Sequence, residues 1–115
     1  MIPGIQFDPL VVATDWLDAC KARRLADVID FFAEDATLEC ACAGDSIFMG
    51  RDDLETYWRP RLADPSPMLF EFEQVWLDAT GASLTYRSHD RKIIRIHFNF
   101  SDLGKIEWSC CAPMS

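Results

Sequence analysis

No stretch of this sequence approaches the roughly 20 consecutive apolar residues that a membrane-spanning helix needs, although half of its 115 residues are hydrophobic. A helical span is therefore excluded, and no membrane partner is expected. The opening residues, Met1-Ile2-Pro3-Gly4-Ile5-Gln6-Phe7-Asp8, lack the basic start, apolar stretch and small-residue cleavage site of a signal peptide. A cytoplasmic protein is the expectation. Positive charge is scarce as well: eleven Lys and Arg stand against nineteen Asp and Glu, a net charge of −8. Such a field repels phosphate backbones, so nucleic acid is not an expected partner. The acidic residues interleave with basic ones and form no block, which a solvated surface explains. Internal repeats, linkers and low-complexity tracts are absent, and the length suits a single domain over residues 1–115 with its own core.

The cysteines, Cys20, Cys40, Cys42, Cys110 and Cys111, are odd in number and lack the spacing of a disulfide framework, so reduced thiols are expected. Cys40 and Cys42 would share one face of a strand, and Cys110 or Cys111 could approach from another strand to complete a thiolate metal site. The C-x-C spacing, the lack of a nearby His and the habitual burial of free Cys argue against it. No metal and no cofactor are expected.

What is there is periodicity. Asp8-Pro9 reads as an N-cap followed by a proline at the first helical position, and Val12, Trp16 and Cys20, with Leu17 alongside, form one apolar stripe of a helix running to about Ala22. Leu25, Val28, Ile29 and Phe32 repeat at i, i+3, i+4 and i+7 and define a second helix. Ala36-Thr37-Leu38-Glu39-Cys40 then changes to a period of two, which predicts a short strand directly after the helix. Residues 43–49 read as a loop. Gly50 opens a third helix whose Leu54, Tyr57, Trp58 and Leu62 share a face, with Asp52 and Asp53 in its first turn and Arg59 and Arg61 near its end, the order the helix dipole favours. Pro60, Pro65 and Pro67 are expected to stop it.

The second half reads as an antiparallel meander over about 69–78, 82–88, 92–100 and 105–111. Thr80-Gly81, Ser88-His89-Asp90 and Ser101-Asp102-Leu103-Gly104 supply its turns. Ile94, Ile96, Phe98 and Phe100 alternate with Arg95, His97 and Asn99, so one face meets the interior and the other meets water or a second subunit.

Two helices, an abrupt strand, a third helix and a four-strand meander, carried by Trp16-Leu17-Asp18-Ala19, by residues 25–39 and by Gly50-Arg51-Asp52-Asp53-Leu54-Glu55-Thr56-Tyr57-Trp58, resemble the nuclear transport factor 2-like superfamily over about residues 8–112. The resemblance implies an α+β fold: three N-terminal helices packed on a strongly curved, mainly antiparallel sheet that forms a cone-shaped half-barrel with an interior pocket. It also implies a homodimer through the outer sheet face. The superfamily hosts isomerases, dehydratases, polyketide cyclases, epoxide hydrolases, transport factors and association domains, so the fold does not fix the function.

Ketosteroid isomerases are similar in the second helix and first strand, and in them a tyrosine and a protonated carboxyl form an oxyanion hole while an aspartate is the base. Aligned without gaps from Trp16 to Cys40, this chain has Trp16 at the tyrosine position and Cys40 at the base position. The late strand aligned through Ile96-His97-Phe98 places Ile96 at the carboxyl donor. An indole can still donate a hydrogen bond but isoleucine cannot, and a thiol among apolar residues has its pKa raised. No turnover of a Δ5-3-ketosteroid is expected.

Asp45, Tyr57, Tyr86 and His97 remain as candidates for a nonstandard acid–base pair of a polyketide cyclase-like, dehydratase or isomerase enzyme. A loop aspartate such as Asp45 is more often a turn former. Strand alternation puts His97 opposite Ile96, on the face away from the interior, and His89 in a hairpin turn. Cys40 as a nucleophile would need a neighbouring base. The reading favoured by these residues is a binding module whose apolar pocket, lined by Trp16, Cys40, Tyr57, Trp58, Ile96 and Phe98, holds a small hydrophobic or aromatic molecule. Its competitors are the enzyme and a dimeric association domain in which the same aromatics merely fill the core.

Overall fold

The computed structural model describes residues 7–41, 46–63, 71–78, 81–87 and 92–113. Helix α1 (Pro9–Lys21) begins where the sequence predicts, because the Asp8 carboxylate accepts from the Leu10 N–H at 2.9 Å and Pro9 takes the first helical position. Its buried face is Ala13, Trp16, Leu17, Ala19 and Cys20, with Val12 half-buried at the margin.

Helix α2 (Leu25–Asp30) is shorter than its apolar repeat predicts, and Phe32 is the first residue of strand β1 (Phe32–Cys40) rather than the last of the helix. A long-range contact overrides the local period. The Phe31 carbonyl accepts from the Ile106 N–H at 2.8 Å and Phe32 pairs with Ile106, so the Phe32 side chain reaches full burial from a strand.

Two further expectations are corrected. The segment read as a loop over 43–49 contains strand β2 (Ser46–Met49), antiparallel to β1 with Thr37 opposite Met49 and Cys40 opposite Ser46. Its alternation is too short to register as a period: Ile47 and Met49 are exposed, while Phe48 turns inward onto Tyr57 with ring centroids 4.8 Å apart. Helix α3 (Gly50–Ala63) opens at Gly50, whose φ of +85° suits glycine, and continues past Pro60. Burial of Leu62 and the Arg61 guanidinium donating to the Tyr57 carbonyl at 2.7 Å hold the last turn despite the missing N–H. Pro65 and Pro67 lie outside the described residues.

The meander is present as β3 (Glu71–Asp78), β4 (Gly81–Arg87), β5 (Ile93–Phe100) and β6 (Ile106–Pro113). Gly81 is required by close approach, since a Cβ there would lie 1.9 Å from the Phe98 carbonyl oxygen. The Ser101–Gly104 turn closes with the Gly104 N–H donating to Ser101 at 3.0 Å. The turn assigned to Ser88-His89-Asp90, and Thr80, lie outside the described residues.

One six-stranded sheet results, in the order β2-β1-β6-β5-β4-β3 and not closed into a barrel. Among the described residues only β1 and β6 pair in parallel; every other pair is antiparallel. Registers align the inward positions into rungs. Cys40, Cys111, Ile96, Leu84 and Val75 form one, and Leu38, Ser109, Phe98, Ala82 and Leu77 form the next. Helix α1 lies against β3 and β4, and α3 against β1 and β2. Side chains from both helices reach β5 and β6 between them, Trp16 against Phe98 and Tyr57 against Cys111. This is the expected α+β cone. No described helix is long and apolar enough to cross a membrane.

Candidate functional site

Strand alternation and the α3 face bring Cys40, Tyr57, Trp58, Trp16, Ile96 and Phe98 into one buried cluster, each at most 6% exposed. The rings form a continuous chain. Phe98 and Trp16 meet edge to face at 5.2 Å, Trp16 and Trp58 at 5.6 Å, and Trp58 and Tyr57 at 5.1 Å. These tilted and edge-on contacts are the arrangement the ring quadrupoles favour.

At the β1 end of the cluster the Tyr57 hydroxyl donates to the Cys40 thiol at 3.3 Å and lies 3.9 Å from the Cys111 thiol. Burial, reinforced by the adjacent Cys111 and Cys40 thiols, pushes the Tyr57 hydroxyl well above the ordinary phenol range; the Arg61 guanidinium, 3.6 Å above the Tyr57 ring, only partly opposes this. Tyr57 therefore stays a neutral donor and offers no base. Cys111 was not among the expected lining residues. Its alternation with Ser109 marks it as inward-facing once β6 is fixed against β1, a long-range pairing that residue order alone does not give.

The two indoles differ from the rest of the cluster. Among the described residues neither the Trp16 Nε1–H nor the Trp58 Nε1–H has a hydrogen-bond acceptor, although both atoms are buried. The third such atom, Arg51 Nε, belongs to a guanidinium already tied to the Phe32 carbonyl at 2.8 Å.

His97 faces the opposite side of the sheet, as alternation predicts. Its Nδ1 lies 2.7 Å from the Asp78 carboxylate and 3.0 Å from the Ser83 hydroxyl, its Nε2 lies 2.8 Å from Asn99 Oδ1, and Ser83 donates to Asp78 at 2.7 Å. A catalytic triad needs the hydroxyl on one ring nitrogen and the carboxylate on the other. Here both meet Nδ1, so the set ties β3, β4 and β5 together instead of activating Ser83. Beside it, Trp108 donates to Glu39 at 2.6 Å. Tyr86 is buried on β4 opposite Ile94, within the same core cluster. Asp45 and Cys42 lie outside the described residues.

Among the described residues no three His, Cys, Asp or Glu side chains are grouped to hold a metal. Cys40 and Cys111 face inward while Cys110 faces outward, where burial and the neighbouring Glu39 raise its thiol against the opposing pull of Arg95. A separate open hollow of about 580 Å³ lies beside α1, rimmed by Asp15, Asp18, Asp27, Asp30, Arg24 and Lys105. Arg24 pairs with Asp27 at 3.6 Å and Lys105 donates to the Asp30 carbonyl at 2.6 Å, so this rim is a solvated charged surface.

Residues 13–109 match the family model described as the SnoaL-like domain. No curated protein matches the chain significantly. Among solved structures, a SnoaL-like protein of unknown function from Burkholderia thailandensis superposes with a TM-score of 0.81 at 16% identity, covering 90% of this chain and 92% of that one. A nuclear transport factor 2-like protein of unknown function from Mesorhizobium loti gives 0.75 at 18% identity, covering 93% and 91%. SalBIII, an epoxide hydrolase/cyclase-like enzyme of pyran ring formation in the polyether salinomycin, gives 0.73 at 14% identity, covering 91% and 89%.

Proposed function

Because the chain belongs to the SnoaL-like domain family of the nuclear transport factor 2-like superfamily, we propose that it is a binding module that holds a small hydrophobic or aromatic molecule against the inner sheet face without converting it. The observation that carries this reading is the state of the interior polar groups. The hydroxyl beside Cys40, at the position where a related isomerase has its base, is kept neutral, donates to the Cys40 thiol and lies against the Cys111 thiol. The remaining members of the cluster, Trp16, Trp58, Ile96 and Phe98, contribute apolar and aromatic surface. Likeness to SalBIII at 14% identity supports the scaffold alone.

Native mass spectrometry of freshly purified protein, compared with its denatured mass, tests the proposal. An adduct that leaves on denaturation, and that Trp16→Ala abolishes while the far-ultraviolet circular dichroism is unchanged, supports it. Turnover of a cyclase or isomerase substrate with a bell-shaped pH profile, lost in Asp45→Asn, replaces it with the enzyme reading. The same spectrum reads the oligomeric state. We carry a homodimer through the outer face of β5 and β6 within this proposal, favoured by the half-buried Trp108 beside His97, with ring centroids 5.6 Å apart. A monomer at micromolar concentration removes that part.

A further inference from the structure

We infer that Cys40 on β1 and Cys111 on β6 are a redox-sensitive dithiol, closed to a disulfide by hydrogen peroxide, which locks the parallel junction between the two parts of the sheet. The inference is independent of ligand binding and needs no cavity.

A reduced cysteine in a core usually serves as a small apolar residue, and Cys20, fully buried on the helix that lies against β3 and β4, is placed that way. Cys40 and Cys111 are placed differently. They are thiols on adjacent strands, directly opposite each other in the parallel register. The Ala41 N–H donates to the Cys111 carbonyl at 3.0 Å, which fixes that register at the pair itself. Opposed residues on neighbouring strands stand about 4.8 Å apart, inside the range of about 4.4–6.8 Å that disulfides span between Cα atoms. Both side chains face inward, and both sulfurs gather at one atom, the Tyr57 hydroxyl oxygen, at 3.3 and 3.9 Å. Cys110 is next to Cys111 in sequence but points to the opposite face of the sheet, in register with Glu39 and His97, so it cannot meet either sulfur without twisting the strand.

The short Cα separation decides the kind of bond. A bridge between directly opposed residues of neighbouring strands carries strain, and strained disulfides are the readily reduced, regulatory ones. The dithiol is therefore the resting state and the disulfide a response to oxidant. One sulfur, as thiolate, attacks the peroxide O–O bond to give a sulfenic acid, and the departing hydroxide takes up the proton as water. The second sulfur then displaces a second water from the first, so that two S–H bonds and one O–O bond become one S–S bond and two waters. The bridge closes a loop of about 70 residues and fastens β6 to β1, the pairing that joins the β1–β2 pair to the β3–β4–β5 meander.

The test treats the whole folded chain with hydrogen peroxide and reads its denatured mass, its tryptic map and its melting temperature. We expect a loss of about 2 Da, the two hydrogens of one disulfide, that dithiothreitol reverses. Peptides 25–51 and 106–115 should be linked, with fragmentation placing the bond at Cys40 and Cys111. The linked chain should melt about 5–15 °C higher than the reduced one. Cys40→Ala and Cys111→Ala should each abolish the cross-link, while Cys42→Ala and Cys110→Ala retain it. If either of the first two variants does not fold, fragmentation of the linked peptides of the unsubstituted protein still assigns the bond. Oxygen added to the thiols in place of a cross-link, a bond through Cys42 or Cys110 or between two chains, or a linked chain that melts no higher overturns the inference.

Discussion

Tyr57 sits at the end of the aromatic chain with a hydroxyl that burial and two thiols keep protonated, and Cys20, fully buried on α1, has a thiol that burial pushes well above its ordinary range. Both shifts have the same sign for stability. The folded state holds these protons more tightly than the unfolded chain, so stability is intact below the unfolded pKa values and declines as pH rises above them. The window opens near pH 9 for the thiol and near pH 10 for the phenol. The expected slope is about 1.4 kcal/mol per pH unit for each group once its unfolded form ionises. Urea unfolding at pH 8, 9.5 and 11 measures this: Tyr57→Phe should flatten only the upper part of the decline, whereas Cys20→Ala should make it shallower from its onset. A stability that is level from pH 8 to 11 contradicts both assignments. The same protonated phenol explains why Tyr57, a sequence candidate for acid–base work, is a poor base where it sits.

At the scale of elements, β4 and β5 are held so close at Gly81 that an added methyl would overlap the Phe98 carbonyl oxygen at 1.9 Å. That contact is with backbone, which cannot swing aside. Gly81→Ala should therefore lose roughly 1–3 kcal/mol through forced strand separation, read as a lower melting temperature with the change in amide exchange centred on Phe98 and Asn99. Helix α3 carries the opposite opportunity. Pro60 lies within the helix and leaves the carbonyl one turn earlier without its usual partner. Pro60→Ala restores that hydrogen bond at an exposed position and should raise stability by about 1–3 kcal/mol, against the roughly 3 kcal/mol helix-interior disadvantage of proline. A melting temperature unchanged by Pro60→Ala would show that the last turn depends on Leu62 and Arg61 alone.

At the scale of the whole molecule, the two parts of the sheet are joined by β6, which lies between β1 and β5 and pairs in parallel with the first strand. Removing residues 106–115 would separate the β1–β2 pair from the β3–β4–β5 meander and expose Phe32, Leu38 and Phe98 together. The expected outcome is a chain without cooperative thermal unfolding and with collapsed amide proton dispersion. A cooperative melt of the truncated chain would mean that the helices and meander form a core without β6. The same pairing builds the candidate site, because only when β6 lies beside β1 do Cys111 and Cys40 come together under the Tyr57 hydroxyl.

What the sequence by itself determined were features set by neighbours a few residues apart: the Asp8-Pro9 start of α1, the stripe of Trp16, Leu17 and Cys20 with Val12 at its margin, the shared face of Leu54, Tyr57, Trp58 and Leu62, and the alternation of Ile94, Ile96 and Phe98 against Arg95 and His97. Helix and strand geometry repeats every 3.6 or 2 residues, so these patterns fix type and facing locally. The tertiary structure alone decided that Phe32 starts a strand, that residues 46–49 pair with β1, that α3 outlasts Pro60, and that β6 returns to β1. In each case pairing or burial in the assembled fold outweighed a local preference of about 1–3 kcal/mol. It also decided that two indole N–H groups are buried without an acceptor among the described residues, because hydrogen bonding depends on where side chains meet in space and no spacing along the chain records it.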